Sequence, residues 1–250
     1  MFKEHPEFQK PTDSNGWIWR YLDFTKFVDL LDTRSLFFTR ADRFHDRFEG
    51  SYTPTNVKHR SDVFLDHNLP VPDQFMQSIA KHSEDWRRWV AINCWHANAH
   101  ESAAMWHLYL KSNEGIAIRS SYNRLISSFA TATDDIYVGM VRYIDYETEW
   151  IPEGNAFYPF VHKRKSFAHE NEIRAVINRT PPLKGHLLDL SQPTITDGIS
   201  IPLDLEQLIE HIFVAPDTPP WLTRLVESVA RKYAINATVK TSTLSNDPVY

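Results

Sequence analysis

The chain has little glycine and almost no cysteine, and both shortages exclude classes of protein. Only 7 of its 250 residues are glycine, and it contains no G-x-x-x-x-G-K-[ST], G-x-G-x-x-G, G-x-S-x-G or H-E-x-x-H motif. Phosphate loops need glycine so that the backbone can turn tightly and approach the phosphate, so the sequence excludes glycine-rich loops of this kind. The single cysteine, Cys94, excludes an intrachain disulfide and is typical of a reducing compartment.

Long hydrophobic runs and a basic excess are also missing. No run approaches the ~20 apolar residues that a membrane helix requires. The first six residues are charged and lack the apolar segment of a signal peptide, so we expect a cytoplasmic protein with no membrane partner. The formal net charge of −5 argues against a dominant nucleic-acid-binding face.

Strand and helix patterns run through most of the sequence. Residues 1–16 are predicted to form an N-terminal arm, and residues 17–250 a single domain. Residues 53–73 carry three prolines and are predicted to be a loop with at most one helical turn. The whole pattern predicts an α+β fold with a mixed, mostly antiparallel central sheet and surrounding helices. Strands are predicted at 17–21, 36–39, 90–95, 115–119, 136–146, 172–178 and 212–215, and helices at 24–31, 73–84 and 218–233.

Two further helix starts are predicted from capping residues. Asn98 and Glu101 have N-cap and N3 spacing for a helix that continues through Lys111. Asp204 is predicted to cap a short helix before the strand at 212–215.

Four segments, in order, resemble one bacterial family, the domain family of unknown function DUF 2971. They are Trp19-Arg20-Tyr21 with the strand at 36–39, Phe44-His45-Asp46-Arg47-Phe48-Glu49, the stretch from Trp95 through Trp106-His107-Leu108-Tyr109 to Gly115-Ile116-Ala117-Ile118, and the stretch from Lys163 to Arg174 with Lys165 and Glu170-x-Glu172-x-Arg174. The similarity covers the chain from about residue 17 to its end. His45 and Arg47 stand where the family has Asn and Pro, which puts any ligand contact of that Asn in doubt. The resemblance adds Lys165 and Arg174 to the candidate ligand-binding residues.

The Glu170-x-Glu172 pair is the leading candidate for chemistry. Two carboxylates two residues apart in an extended segment point the same way, so one can hold a substrate while the other stabilises positive charge. The pair is similar to that of ADP-ribosyltransferases, and this likeness implies NAD as cofactor, with Glu172 and Glu170 as catalytic residues. It also implies that Arg20, or its neighbour Tyr21, contacts the cofactor phosphates. The alternative is a solvated strand edge on which Glu172 pairs with an arginine.

Other residues have both a functional and a structural interpretation. Glu49, next to Phe48, is either a ligand-orienting acid in a partly apolar pocket or a salt-bridged turn carboxylate. Trp106 and Tyr109 share a helix face, and either can stack on nicotinamide; we favour the core for Trp106 and a pocket rim for Tyr109. The basic run Lys163-Arg164-Lys165 either steers an anionic ligand or is a solvated face.

Metal and thiol chemistry are not favoured by the sequence. His96, His100 and His107 lack the tight spacing of metal ligands on a helix, so hydrogen-bonding roles are expected and no structural metal is predicted. Because Val90, Ile92 and Cys94 share one strand face, Cys94 is predicted to be a buried structural thiol.

The leading hypothesis is an ADP-ribosyltransferase-like enzyme that binds a small nucleotide, NAD, and modifies a macromolecular or small acceptor. By analogy, such chemistry suits a toxin or a phage-defence protein. The first alternative is a non-catalytic nucleotide sensor or protein-interaction module. The second is a Mg²⁺-dependent nuclease that uses Asp46, Glu49, Glu170 and Glu172. The transferase requires Arg20, Tyr109 and Glu172 to line one cleft, whereas the nuclease requires four convergent carboxylates.

Overall fold

The computed structural model describes residues 1–65, 73–109 and 114–249. Its strands are β1 (Phe2–Lys3), β2 (Trp17–Asp23), β3 (Ser35–Arg40), β4 (Val90–Ala97), β5 (Gly115–Ser121), β6 (Ile136–Met140), β7 (Arg142–Ile144), β8 (His162–Arg164), β9 (Glu172–Asn178), β10 (Leu183–Lys184), β11 (Leu187–Leu188), β12 (Gly198–Pro202), β13 (His211–Val214) and β14 (Thr238–Thr241). Its α-helices are α1 (Phe24–Thr33), α2 (Pro54–Leu65), α3 (Asp73–Trp86), α4 (Ala103–Tyr109), α5 (Tyr122–Ser128), α6 (Tyr158–Val161), α7 (Leu205–Leu208) and α8 (Pro220–Lys232).

The described strands build a ten-stranded sheet whose main path is β1-β6-β9-β4-β2-β5-β13-β14, with β3 and β12 joined to it through β4. The pairs β1–β6 and β13–β14 are parallel, and the other pairs of this sheet are antiparallel. The predicted α+β class with a mixed, mostly antiparallel sheet is therefore confirmed. None of the helices in the described ranges is long and apolar enough to cross a membrane.

The main core lies between one face of this sheet and the helices α1, α5 and α8. On β9, Ile173, Ala175 and Ile177 alternate toward this core, as the period-two pattern predicts. On α8, Leu222 and Val226 bury the apolar helix face against the sheet. Each such aliphatic side chain contributes about 1.5–3 kcal/mol when it is fully buried.

The sheet is forked at β4. One edge of β4 pairs with β3 at Ala91 and Ile92, and the same edge pairs with β2 at His96 and Ala97. Between these pairings, the residues 93–95 have no strand partner on that edge within the described part of the chain. The strands β2 and β3 thus diverge from a common strand, and α1 connects them. This divergence opens a cleft in the sheet.

The ends of α1 fix the direction of the chain on both sides of the fork. Asp23 caps the helix, because its carboxylate accepts a hydrogen bond from the Lys26 amide at 2.8 Å. Arg34 ends the helix in the left-handed conformation with φ 47°. That conformation turns the chain back into β3.

The N-terminal arm contributes to the sheet. Phe2 and Lys3 pair with Ile136 and Tyr137 of β6. Phe8 is buried beside the same strand, where its ring stacks on Tyr137 with a centroid separation of 5.6 Å.

Two predictions about local structure, the loop at 53–73 and the single strand at 136–146, were wrong. Residues 54–65 form helix α2 where a loop was predicted, and the rest of the 53–73 segment lies largely outside the described residues. The residues Asn56 and Arg60 that α2 buries are polar, so the helix shows little apolar periodicity. The predicted strand at 136–146 is two strands, because the chain leaves the sheet at Val141 and β7 pairs with β8.

The helix predicted from Asn98 begins instead after Ser102. The Ser102 hydroxyl accepts from the Met105 amide at 3.3 Å, which is the contact of an N-cap. Asn98 lies outside the helix, and its backbone N–H donates a hydrogen bond to the Trp17 carbonyl at 3.1 Å. Lys111, the predicted end of this helix, lies outside the described residues.

Candidate functional site

A cleft of about 700 Å³ occupies the fork between β2 and β3. Its walls come from β2, α1, β3, the segment after β3, β4, α4, β8 and the turn before β9. The lining residues used below are Arg20, Tyr21, Asp46, Glu49, Cys94, Tyr109, Lys163, Glu170 and Glu172. Arg20, Tyr109 and Glu172 therefore line one cleft, as the transferase hypothesis requires. Trp106, Lys165 and Arg174 are not among the lining residues.

Arg20 supplies a cation that no carboxylate of the described residues neutralises. Its Nη1 donates to the Cys94 carbonyl at 2.6 Å, within the stretch of β4 whose β2–β3 edge has no strand partner among the described residues. Its Nε is buried and has no hydrogen-bond partner within the described residues. Burial lowers the pKa of the guanidinium, which nevertheless remains charged at neutral pH. A guanidinium that has no carboxylate partner is suited to bind a carboxylate or phosphate oxygen of a ligand.

The three aromatic candidates occupy different positions. Tyr21 lines the cleft, and its hydroxyl accepts a hydrogen bond from the Ser102 amide at 2.8 Å. Trp106 is buried and packs edge-on against Tyr21, so the expected core position is confirmed. Tyr109 is 46% exposed on the cleft wall, which confirms its expected position at the rim. Burial of its hydroxyl end, near Cys94, Glu170 and Glu172, raises the pKa of Tyr109.

Glu170 and Glu172 converge on one lysine. The Lys163 ammonium donates to a carboxylate oxygen of Glu170 and to Oε1 of Glu172, the latter at 2.6 Å. The side chain of Lys163 is 9% exposed, so the triad of Lys163, Glu170 and Glu172 has little contact with solvent. In the alternative interpretation the solvated strand edge is wrong, because Glu172 lies on a central strand and is buried, whereas the predicted pairing of Glu172 with an arginine is confirmed by Arg174.

The prediction placed Glu170 and Glu172 in one extended segment, and this was wrong. Their convergence depends on a turn before β9. Residues 165–170 form a 3-10 turn, and Asn171 ends it in the left-handed conformation with φ 38°. The Asn171 side chain donates to the Ala97 carbonyl at 2.5 Å, which fixes the turn against β4. The following residue, Glu172, is the first residue of β9, and its amide donates to the Tyr143 hydroxyl at 2.9 Å.

Arg174 extends the triad into the interior of the protein. Its Nε donates to Glu172 Oε2 at 2.6 Å, and its two terminal nitrogens donate to the Glu49 carboxylate at 2.6 and 2.7 Å. The side chains of Arg174 and Glu49 are each 1% exposed. Glu49, Arg174, Glu172, Lys163 and Glu170 thus form a row in which carboxyl groups alternate with cations, and every member except Arg174 lines the cleft. Arg174 supports the site from behind, which explains why it does not line it.

The two carboxyl groups that share Lys163 differ in protonation. Burial and the neighbouring Glu172 carboxylate raise the pKa of Glu170 to about 8. Burial also acts to raise the pKa of Glu172, but the Arg174 charge, the hydrogen bond with Glu170 and Lys163 outweigh it and hold this pKa well below its ordinary value. Glu170 is therefore the neutral carboxyl of the pair at neutral pH and Glu172 the ionised one. A carboxyl with a pKa near neutrality is suited to proton transfer.

The basic run at 163–165 divides among three environments. Lys163 joins the buried triad, and Arg164 pairs with Asp46 at 2.7 Å. Lys165 is exposed and pairs with Glu149 at 2.8 Å. The sequence therefore pointed to the right run, but the lysine inside the site is Lys163. No sequence signal distinguishes the two lysines, since the strand and turn that separate them emerge only in the fold.

The carboxylates that the nuclease hypothesis requires are already paired with cations. Asp46 contacts Arg164, Glu49 contacts Arg174, and Glu170 and Glu172 share Lys163. Among the described residues, no group of three His, Cys, Asp or Glu side chains is arranged to hold a metal ion.

Cys94 and His96 lie on β4 beside the triad. Cys94 is partly buried and packs against the cluster that contains Val90 and Ile92, so the shared strand face is confirmed, although Cys94 also lines the cleft. Burial and the Glu172 charge raise the pKa of the Cys94 thiol, which disfavours the nucleophilic thiolate. His96 donates from Nδ1 to the Glu170 carbonyl at 2.5 Å, which confirms the hydrogen-bonding role.

No protein-family model, no curated protein and no solved structure matches the chain. The resemblance to DUF 2971 stays a prediction.

Proposed function

We propose that the cleft binds a small anionic ligand of the nucleotide class, NAD being the first candidate, and that the protein transfers the ADP-ribosyl group of NAD to an acceptor. The observation that carries this proposal is the Arg20 guanidinium, which no carboxylate among the described residues neutralises and which lines a cleft together with Tyr109 and Glu170. The cleft volume of about 700 Å³ falls in the range of small-molecule sites.

The residues present fit the groups of NAD. Arg20 lines the cleft and offers a phosphate oxygen a guanidinium that no carboxylate among the described residues neutralises. Tyr109 offers an aromatic face at the rim, where a planar ring can stack. NAD supplies the ribosyl carbon, whose bond to nicotinamide breaks as a bond to the acceptor forms, and nicotinamide leaves with the electron pair of the broken bond.

Proton transfer in this reaction is assigned to Glu170. As the acceptor forms its new bond it loses a proton, and Glu170 in its ionised form takes that proton. In the chain without ligand, its pKa of about 8 leaves about a tenth of the molecules ionised at pH 7. Glu172 has both oxygens engaged by Lys163 and Arg174, so its part is to hold these cations and Glu170 in position.

A ligand-binding module without turnover is the second candidate. It is favoured by the same ion pairs, because the two cations neutralise the carboxylate that would otherwise stabilise the developing positive charge on the ribose. The two candidates predict the same binding and differ in nicotinamide release.

Thermal-shift titration of the wild type with NAD⁺ and with ADP-ribose tests the proposal. A ligand at 100 times its Kd adds about 2.7 kcal/mol to the free energy of unfolding, which for a chain of 250 residues corresponds to a rise in Tm of roughly 5–10 °C. In Arg20→Met we expect an affinity loss of about 10–150-fold, since a hydrogen bond to a charged group contributes about 1.5–3 kcal/mol. Arg224→Met, an exposed arginine on α8, is the matched control.

The outcomes separate the candidates. No shift with either nucleotide, or equal shifts in Arg20→Met and the wild type, contradicts the proposed site. Binding together with release of nicotinamide from NAD⁺, detected by liquid chromatography, supports the transferase. Binding without nicotinamide release, at millimolar NAD⁺ and with added acceptor proteins, favours the module without turnover.

A further inference from the structure

Glu170 and Arg20 line the same cleft, one as a neutral acid and the other as a cation that no carboxylate among the described residues neutralises. Both lie close enough to the Tyr109 hydroxyl to act on its ionisation. A ligand that places an anion on Arg20 therefore lies within the electrostatic field of Glu170. Because Glu170 and the Arg20 Nε are largely removed from solvent, a charge on one of these groups is screened less than it would be in water and is felt at the other.

We propose that Glu170 gates the anion site: the cleft binds an anion on Arg20 while Glu170 carries its proton, and affinity falls when Glu170 ionises. This inference rests on the proposed function, since it takes the anion site on Arg20 as given. The reason for the gate is charge balance within the site. With Glu170 neutral, the row from Glu49 to Glu170 holds two carboxylates and two cations, which leaves the Arg20 charge for the ligand.

Ionisation of Glu170 reverses that balance. The row then carries one excess negative charge, and this charge lies on Glu170, which lines the same cleft as Arg20. The added carboxylate repels the ligand and competes for Arg20. By thermodynamic linkage, an anion bound to Arg20 must in turn favour the protonated form of Glu170.

The charged groups around Glu170 come from three strands. Lys163 on β8 and Glu172 on β9 contact it through the triad, and Arg20 on β2 lines the same cleft. Burial would lower the pKa of Lys163, but the Glu172 and Glu170 carboxylates raise it above its ordinary value. Lys163 therefore stays charged, and Glu172 stays ionised, throughout the range in which Glu170 titrates.

The other titratable groups nearby keep their protonation state over the same range. Burial raises the pKa of Tyr109 on α4, of Tyr143 on β7 and of Cys94 on β4. Burial lowers the pKa of His96 on β4, which stays neutral above pH 7. His169 precedes Glu170 in the chain and is exposed, so a variant must separate its effect from that of Glu170.

Isothermal titration of the full chain with ADP-ribose, from about pH 6.5 to about pH 9.5, tests the gate. The pyrophosphate of this probe stays fully ionised over that range, so a change in affinity belongs to the protein. For the wild type we expect Kd to rise about tenfold as the pH rises through the titration of Glu170, within the usual span of coupled binding events. Near pH 8.5, titrations in two buffers of different ionisation enthalpy should show proton uptake on binding.

Three variants complete the test. Glu170→Gln keeps the shape of the neutral acid, so it should bind at high pH as tightly as the wild type binds at low pH, with the pH dependence lost. His169→Asn should keep the wild-type profile. Glu227→Gln, which makes the same charge change on the exposed side of α8, should keep it too.

Each outcome decides between two claims. Binding that does not change with pH in the wild type, or a profile that survives in Glu170→Gln or disappears in His169→Asn, overturns the gate and leaves the anion site standing. Absence of binding at every pH, in both the wild type and Glu170→Gln, overturns the proposed function and the gate with it. A circular-dichroism spectrum equal to that of the wild type shows that each variant is folded.

Discussion

Substitution of Arg174 by methionine removes the cation that neutralises two buried carboxylates. The guanidinium makes three hydrogen bonds to Glu49 and Glu172 and one to the Phe160 carbonyl at 2.8 Å. Loss of one partner from a buried ion pair costs about 3–5 kcal/mol, because the other charge is left without compensation. Glu172 keeps Lys163 and Glu49 can bind a proton, so we expect a loss of about 3–4 kcal/mol, or roughly 6–16 °C in Tm.

The pH dependence of this loss follows from Glu49. Burial already raises the pKa of its carboxyl, and Arg174 opposes that effect. Without Arg174, the folded chain holds a proton on Glu49 at a pH where the unfolded chain has lost it. The variant therefore becomes less stable relative to the wild type as the pH rises above the ordinary range of glutamate, and the difference shrinks in acid.

Urea unfolding followed by fluorescence of the 8 tryptophans measures the free energy of unfolding at about pH 5 and at about pH 7. Arg142→Met is the matched control, because that arginine pairs with Glu7 at 3.1 Å with 29% of its side chain exposed; we expect it to cost no more than about 1 kcal/mol. Glu49→Met combined with Arg174→Met should recover part of the loss, since a buried pair replaced by apolar side chains is often nearly neutral. A loss below about 1 kcal/mol at neutral pH, or an equal loss at both pH values, would refute this account of the charge row.

Two further predictions concern packing and the thiol. Gly139→Ala places a methyl carbon 2.7 Å from the backbone of Phe8, so we expect a loss of about 1–3 kcal/mol in urea unfolding; an unchanged midpoint would show that the N-terminal arm does not press on β6 in solution. Burial raises the pKa of Cys94, so alkylation by iodoacetamide near pH 8, followed by mass spectrometry, should be at least about 100-fold slower in the folded chain than in urea. Comparable rates in both states would mean that the thiol is ionised in the cleft.

The parts of the fold that were predicted from the sequence are those with strong local patterns. The predicted strand at 172–178 has the bounds of β9, and the predicted cap Asp204 accepts hydrogen bonds from the Glu206 and Gln207 amides. Both depend on residues that are close in the sequence. The strand follows from the alternation of apolar residues, and the cap follows from a carboxylate at the start of a helix. Where a helix buries polar groups the local pattern disappears, as in α2, whose Asn56 side chain donates to the Ile151 carbonyl at 2.7 Å.

The sequence predicted several of the residues that line the cleft, but it did not predict the ion pairs that connect them. Glu170, Glu172, Arg20 and Tyr109 were all predicted, and all line the cleft. Lys163 was not singled out, because its importance arises from a turn that brings it back to residues seven and nine positions later. The pairing of Arg174 with Glu49 joins residues 125 positions apart in the chain, and no local pattern indicates such a pair.

The fork in the sheet also affects how this protein can diverge. The floor of the cleft is defined by backbone pairing, since β2 and β3 both hydrogen-bond to the same edge of β4. Main-chain hydrogen bonds do not depend on side-chain identity, so substitutions on the walls alter the ligand preference while the opening itself persists. Homologous chains that have exchanged Tyr109 or the segment around Asp46 would therefore keep a cavity of similar position and depth. A few side-chain substitutions can therefore change which ligand the cleft binds while the pairing of β2 and β3 with β4 stays the same.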